Sequence, residues 1–251
     1  MATATDSRVE APAYVYGITW ATSASSYADG VGGEGVEPVV HGAVAALVSA
    51  LPDATVRARR RDLVRHARVI QDAFESDTVV PLRFGTVFQS GADVVADVLE
   101  PHHDELVALL RRLAGLAELT VRAFYDQDAV LAEIVREDRS VAALRESAIA
   151  SSDPALHLQL GEAVADRLEA RRETDAGLVL SAVVPLTHDV VVEERQADLE
   201  VLRAALLVDR TNIAAVDAAM DEVARSREGV IRFKYAGPLP PHHFVGGQWA
   251  S

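Results

Sequence analysis

The chain has no cysteine, a single lysine and few aromatic residues, and each scarcity removes a class of explanation. Without cysteine there is no disulfide, no thiolate nucleophile and no thiolate-bound zinc, a pattern that fits a reducing compartment. Lys234 is the only lysine among 24 basic residues, so most cationic contacts fall to arginine, whose planar fork suits carboxylates. With aromatics at 5%, a core must be built from Val, Leu, Ile and Ala. No run approaches the ~18 uninterrupted apolar residues of a membrane-spanning helix. Residues 1–11 are polar, which predicts a disordered lead-in and no secretory signal.

What is present is a chain of 251 residues, 49% apolar, enough for one large domain or two ordinary ones. Its net charge of −14 argues against a nucleic-acid or anionic-membrane surface. The densest apolar stretch of the first half, Val79 to Phe88, reads as a strand buried on both faces. Arg83 is its anomaly, because a guanidinium beside a buried strand must reach a carboxylate, carbonyl groups or water. One reading ties the strand to a neighbouring loop; the other makes Arg83 an anion or partner contact.

Before that stretch, Tyr14 to Trp20 alternates as a strand, and a glycine-rich segment, Asp29 to Gly35, reads as a loop. The latter lacks the Lys-Ser/Thr and following helix of a phosphate loop. Val36–Val40 and Ala43–Leu51 are strand candidates around a His41-Gly42 turn, the second with helical leanings. Leu63, Ala67, Ile70 and Phe74 mark one face of a helix whose other face, with Asp62 and several arginines, should be solvated. Asp93 to Leu113 is helical, restarted at Pro101.

A second unit opens with the strand Leu119–Tyr125. Two helices follow, the later one capped by Asp153-Pro154 and closing on Arg171 and Arg172. Gly177–Leu186 with Val190–Val192, and then Leu202–Val208, read as strands; a helix capped by Thr211 and a last strand, Val230–Tyr235, complete the unit. The expected fold is therefore α+β in two domains, 1–117 and 118–251, with mixed or antiparallel sheets and covering helices. The second domain has the ferredoxin-like order with a helical-hairpin extension.

Chemistry-bearing patterns are scarce. The pairs His102-His103 and His242-His243 are adjacent, so their side chains diverge, and no H-x-x-x-H or H-E-x-x-H spacing exists. There is no G-x-S-x-G elbow, and no catalytic, cofactor or metal set is identified. Pro238, Pro240 and Pro241 impose an extended tail ending in Phe244, which reads either as a strap closing its own domain or as a partner-docking arm. The candidate partner-binding residues are thus Arg83, Phe84, Pro238, Pro240, Pro241 and Phe244.

Four segments carry a resemblance: Tyr14 to Ile18, Val80 to Phe88, Leu206 to Arg210, and Gly237 to Val245. In this order they resemble the GvpF/GvpL family of gas vesicle accessory proteins over nearly the whole chain. The chain departs from the family at His242-His243, where a Tyr and a small or acidic residue are usual. The resemblance implies two α+β domains, no catalytic activity and no cofactor. It implies a cytoplasmic protein associated with the gas vesicle, contacting the shell protein GvpA and other Gvp proteins. Nucleic acid, membrane and small-molecule substrate are not expected as partners. A short polar N-terminus leans toward the F type over the L type. Two alternatives stay open: a ligand-sensing module of ferredoxin-like type, and an enzyme using Arg83 with nearby carboxylates.

Overall fold

The structure is a computed structural model that describes residues 11–27, 29–52 and 59–246. The expected disordered lead-in therefore lies, apart from Ala11, outside the described residues. Contacts divide the chain into two units, one up to Glu118 plus the stretch from Pro238, the other Leu119–Gly237. The expected second domain runs to residue 251, whereas the contacts group the residues from Pro238 with the first unit.

In the first unit, β1 (Ala13–Trp20) is the central strand. It pairs antiparallel with β3 (Val44–Ala50), with β4 (Val79–Pro81) and with β5 (Val87–Phe88). β2 (Val36–His41) pairs with β3 through the turn at Gly42, whose φ is +56°. The register of β1 slips between Val15 and Gly17, a bulge that leaves Tyr16 as the extra residue. Gly17 is required there: a Cβ would stand 2.8 Å from the Val80 carbonyl oxygen. α1 (Arg60–Ser76), α2 (Gly91–Val94, continued by a π-helical turn Val95–Leu99) and α3 (His103–Leu113) complete the unit. Ser90 caps α2 by accepting from the Asp93 amide.

Two expectations are corrected here. Val79–Phe88 is not one strand: β4 and β5 flank a turn at Phe84-Gly85, and Gly85 has φ +94°, which takes the chain out of the ladder. The buried stripe of α1 is also rotated from the expected one. Asp62, His66, Val69, Ile70, Ala73 and Phe74 face inward, while Leu63 is 43% exposed. A polar anchor, His66, decides which face turns in, and an apolar-periodicity count gives it no weight.

In the second unit, β6 (Leu116–Tyr125) leads into α4 (Gln127–Glu137), α5 (Arg139–Ala150) and α6 (Pro154–Val183). β7 (Asp189–Val192), β8 (Glu200–Asp209), α7 (Ile213–Ser226) and β9 (Ile231–Leu239) follow. The sheet order β7-β8-β6-β9 is that of the split βαβ arrangement. One face carries the core, among it Val121, Tyr125, Ile134, Val179, Val183, Leu206, Val216 and Met220.

The expected Gly177–Leu186 strand is helical instead: the 30-residue α6 covers it as far as Val183, and a 3-10 turn, Val184–Leu186, with Pro185 follows. A short apolar run suits a buried strand and a buried helix alike. The helical period shows only when the stripe Arg172, Asp175, Val179, Val183 is included. Arg171 and Arg172 are thus mid-helix residues. Asp153 caps α6 as expected, accepting from the Ala155 amide at 2.9 Å. Asn212, not Thr211, is the residue before α7, and Asp209 Oδ1 accepts from the Thr211 amide and hydroxyl.

Candidate functional site

The turn that breaks the Val79–Phe88 stretch is built on a nest of rings. Leu82 N–H donates to the Tyr16 carbonyl and Val15 N–H to that of Thr86, so β1 grips both arms of the turn. Thr86 closes it by donating from amide and hydroxyl to the Arg83 carbonyl. Beneath, the Gly85 amide donates to the Tyr14 hydroxyl at 3.1 Å. His66 Nε2 can only donate to the Leu82 carbonyl, 3.2 Å away, so Nδ1 accepts from the Tyr14 hydroxyl at 2.9 Å. Phe84 stands edge-on to both Tyr14 and His66, and the Tyr16 ring stacks on His66. The Tyr16 hydroxyl in turn accepts from the Val31 amide and meets Ser49 Oγ, which fixes the glycine-rich loop.

Burial pulls the His66 pKa down to about 4, with the nearby His242 acting in the same direction against the Leu82 hydrogen bond. The imidazole is therefore a neutral structural connector at pH 7, not a general base exposed to substrate. Burial also pushes the Tyr14 hydroxyl up, so it stays protonated. Above the nest Arg83 is exposed, and among the described residues its guanidinium forms no ion pair or hydrogen bond. Phe84 is half-buried, so one edge of its ring remains available beside Arg83.

The tail residues are placed differently. Pro238 is exposed, whereas Pro240 and Pro241 are buried and Phe244 is 4% exposed, all with the first unit. Glu118, 1% exposed, accepts from the His243 amide at 2.9 Å through one carboxylate oxygen and meets His243 Nδ1 at 2.7 Å through the other. Arg112 Nη2 donates to the Phe244 carbonyl at 2.6 Å. The tail is fastened as a strap by a buried ring and charged groups, and Glu118 and Arg112 were not among the sequence candidates. The structure thus brings Arg83 and Phe84 together on one turn, and buries Pro240, Pro241 and Phe244.

The second unit carries an ionic network. Asp175 Oδ2 accepts from the Tyr125 hydroxyl at 2.7 Å and from Arg227 at 3.0 Å. Arg171 and Arg227 both reach Glu133, and Arg171 extends to Glu137. It joins β6, α4, α6 and the end of α7, with each of these carboxylates matched to a guanidinium. An open cleft of about 540 Å³ lies on the same unit, lined by the apolar Ala176, Leu180, Val192 and Val201 and by the charged Glu169, Glu173, Glu194, Arg172 and Arg195. Among the described residues no group of three His, Asp or Glu is placed to hold a metal ion, and no helix is long and apolar enough to cross a membrane.

Comparison with known proteins joins these observations. The family model described as "Gas vesicle synthesis protein GvpL/GvpF" matches residues 12–246. The chain is 32% identical to gas vesicle protein F of Streptomyces sp. (strain CB03234), over 92% of this chain and 98% of that one. It is 29% identical to gas vesicle protein L of the same organism, over 93% and 92%. The crystal structure of GvpF from Anabaena sp. PCC7120 superposes with a TM-score of 0.84 at 22% identity, over 95% of this chain and 99% of that one. The GvpF structure from Microcystis aeruginosa does so at 0.76 and 19% identity, and both likenesses speak for the fold. The matched span runs from the first residues of β1 to the end of the strap, and the chain belongs to the GvpL/GvpF family of gas vesicle synthesis proteins.

Proposed function

We propose that this chain is a non-enzymatic accessory protein of gas vesicle formation, which binds the shell protein GvpA and other Gvp proteins in the cytoplasm and stays associated with the vesicle. Family membership across residues 12–246 is the observation that carries the reading. The physical rationale is that an unassembled shell subunit presents apolar surface and open strand edges, both of which aggregate. An acidic protein with a net charge of −14 keeps such a complex dispersed.

Arg83 and Phe84 form the contact we favour for a partner. An exposed guanidinium with no partner among the described residues, beside a half-buried ring and on a turn held by four hydrogen-bonded residues, costs little to order on binding. Pro238 is the exposed one of the four tail candidates, while Pro240, Pro241 and Phe244 are buried. The test is co-expression with GvpA followed by affinity capture. GvpA is retained by the parent and lost from Arg83→Ala with the melting temperature unchanged; Phe84→Ala, which also removes the ring contacts to Tyr14 and His66, is expected to lose it with a lowered melting temperature. Capture of no Gvp protein by the parent would refute the reading. A second reading, a ligand-sensing module, draws on the open cleft of about 540 Å³, a volume within the small-molecule range. A thermal-shift screen without any stabilising metabolite would count against it.

A further inference from the structure

The four-stranded sheet ends in β9, the longer of its two edge strands. Its inner flank pairs with β6; among the described residues, the backbone bonds formed outside the strand ladders involve only its first residue, Ile231. Arg232, Lys234, Ala236 and Gly237 are exposed along it. Phe233 and Tyr235 alternate with them, packing on the core, with the Tyr235 hydroxyl donating to Asp217 of α7. On the opposite face the Lys234 ammonium stands over the Phe124 ring, 5.4 Å from its centroid, and Arg122 covers the same ring at 4.9 Å. Arg122 is itself paired with the buried Glu200, so Arg232 and Lys234 supply the positive charge of this face in an otherwise acidic chain.

We propose that β9 accepts an extended segment of a partner protein by strand addition, and that this segment alternates acidic with apolar residues. Strand addition takes its affinity from main-chain bonds and its selectivity from alternate side chains. Carboxylates at every second position of the added strand fall opposite Arg232 and Lys234. The intervening positions fall beside Phe233, Tyr235 and the acidic edge of α7, where Asp217 and Asp221 exclude further carboxylates and small apolar groups fit. A second copy of this chain is a poor occupant. Two β9 edges paired antiparallel about Phe233 set Arg232 opposite Lys234, and like charges directly across a ladder repel. The inference rests on the accessory-protein reading, for it names the kind of segment such a partner presents, but its test is separable.

The probe is a fluorescein-labelled peptide of alternating Glu and Val, titrated into the full chain and followed by anisotropy and by hydrogen exchange. Binding is expected, with new protection confined to residues 231–237. An Arg232→Glu/Lys234→Glu variant is expected to weaken it more than tenfold, as is N-methylation of the peptide amides on its pairing edge. No binding, equal binding by the N-methylated peptide or by the variant, or protection elsewhere overturns the proposal. So does a concentration-dependent dimer that protects β9 without peptide. GvpA capture that survives in the variant refutes the edge as its contact and leaves the accessory reading intact. Peptide protection of β9 without GvpA capture sustains the edge and refutes that partner.

Discussion

At the scale of single residues, His66 fastens α1 to β1 and to the turn after β4, accepting from Tyr14 in its neutral form. Its folded pKa, about 4, is below the unfolded value near 6.5, so the unfolded chain binds the extra proton as pH falls. The sign follows: full stability above pH 6.5, progressive loss down to about pH 4, and no further loss from this group below that. The loss amounts to about 3 kcal/mol across the window. Urea unfolding of the parent at pH 7, 5.5 and 4.5 is expected to show this slope, and a His66→Gln variant to lose it. Gly85 makes a second, purely local prediction. A Cβ there meets nothing within 4 Å, so Gly85→Ala costs only the left-handed backbone, about 1–2 kcal/mol. A larger loss in equilibrium denaturation would mean that the turn is held by contacts not visible at this residue.

At the scale of elements, the strap and the ionic network are the places where truncation should be costly. Phe244→Ala empties a buried site and is expected to lower stability by about 3–5 kcal/mol, measured by denaturant unfolding. Asp175→Ala leaves Arg171, Arg227 and the Tyr125 hydroxyl facing one another without their shared acceptor. About 3–5 kcal/mol is again expected, with the loss suppressed if Arg227 is replaced by Met in the same chain.

These elements also show what could be read from the chain beforehand. β1, the β2–β3 hairpin, α7 and β9 follow from alternation, turn residues and helical spacing, because there local preference and burial agree. α1 and α6 depart from the expectation where polar residues occupy the buried stripe: His66 and Asp62 in one, Arg172 and Asp175 in the other. Their burial depends on partners 50 or more residues away for His66 and Asp175, such as Tyr14 and Tyr125, and nothing in a local window announces them. Arg83 and the prolines were legible as anomalies. Which of them faces solvent was not, since that depends on where Glu118 and Arg112 fasten the tail.

For the whole molecule, charge sets behaviour in solution. A formal charge of −14 at pH 7 with a sequence pI near 4.9 keeps copies apart at neutral pH. That repulsion fades over the same interval in which His66 withdraws its support. Light scattering is therefore expected to show monodisperse particles at pH 7.5 and growing ones near pH 5, with the growth sharper at low protein stability than charge alone dictates. A particle size unchanged at pH 5 would show that neither effect matters at working concentrations.

The position of Lys234 has a practical corollary for chemistry done on the protein. Apart from the α-amino group, its exposed ammonium on β9 is the one primary amine in the chain. A carbodiimide, which joins an amine to a carboxylate with no spacer, can therefore tether a partner's acid through a side chain of this protein only at that strand. The residues recovered in such an isopeptide would read out, one carboxylate at a time, whatever lies along the edge.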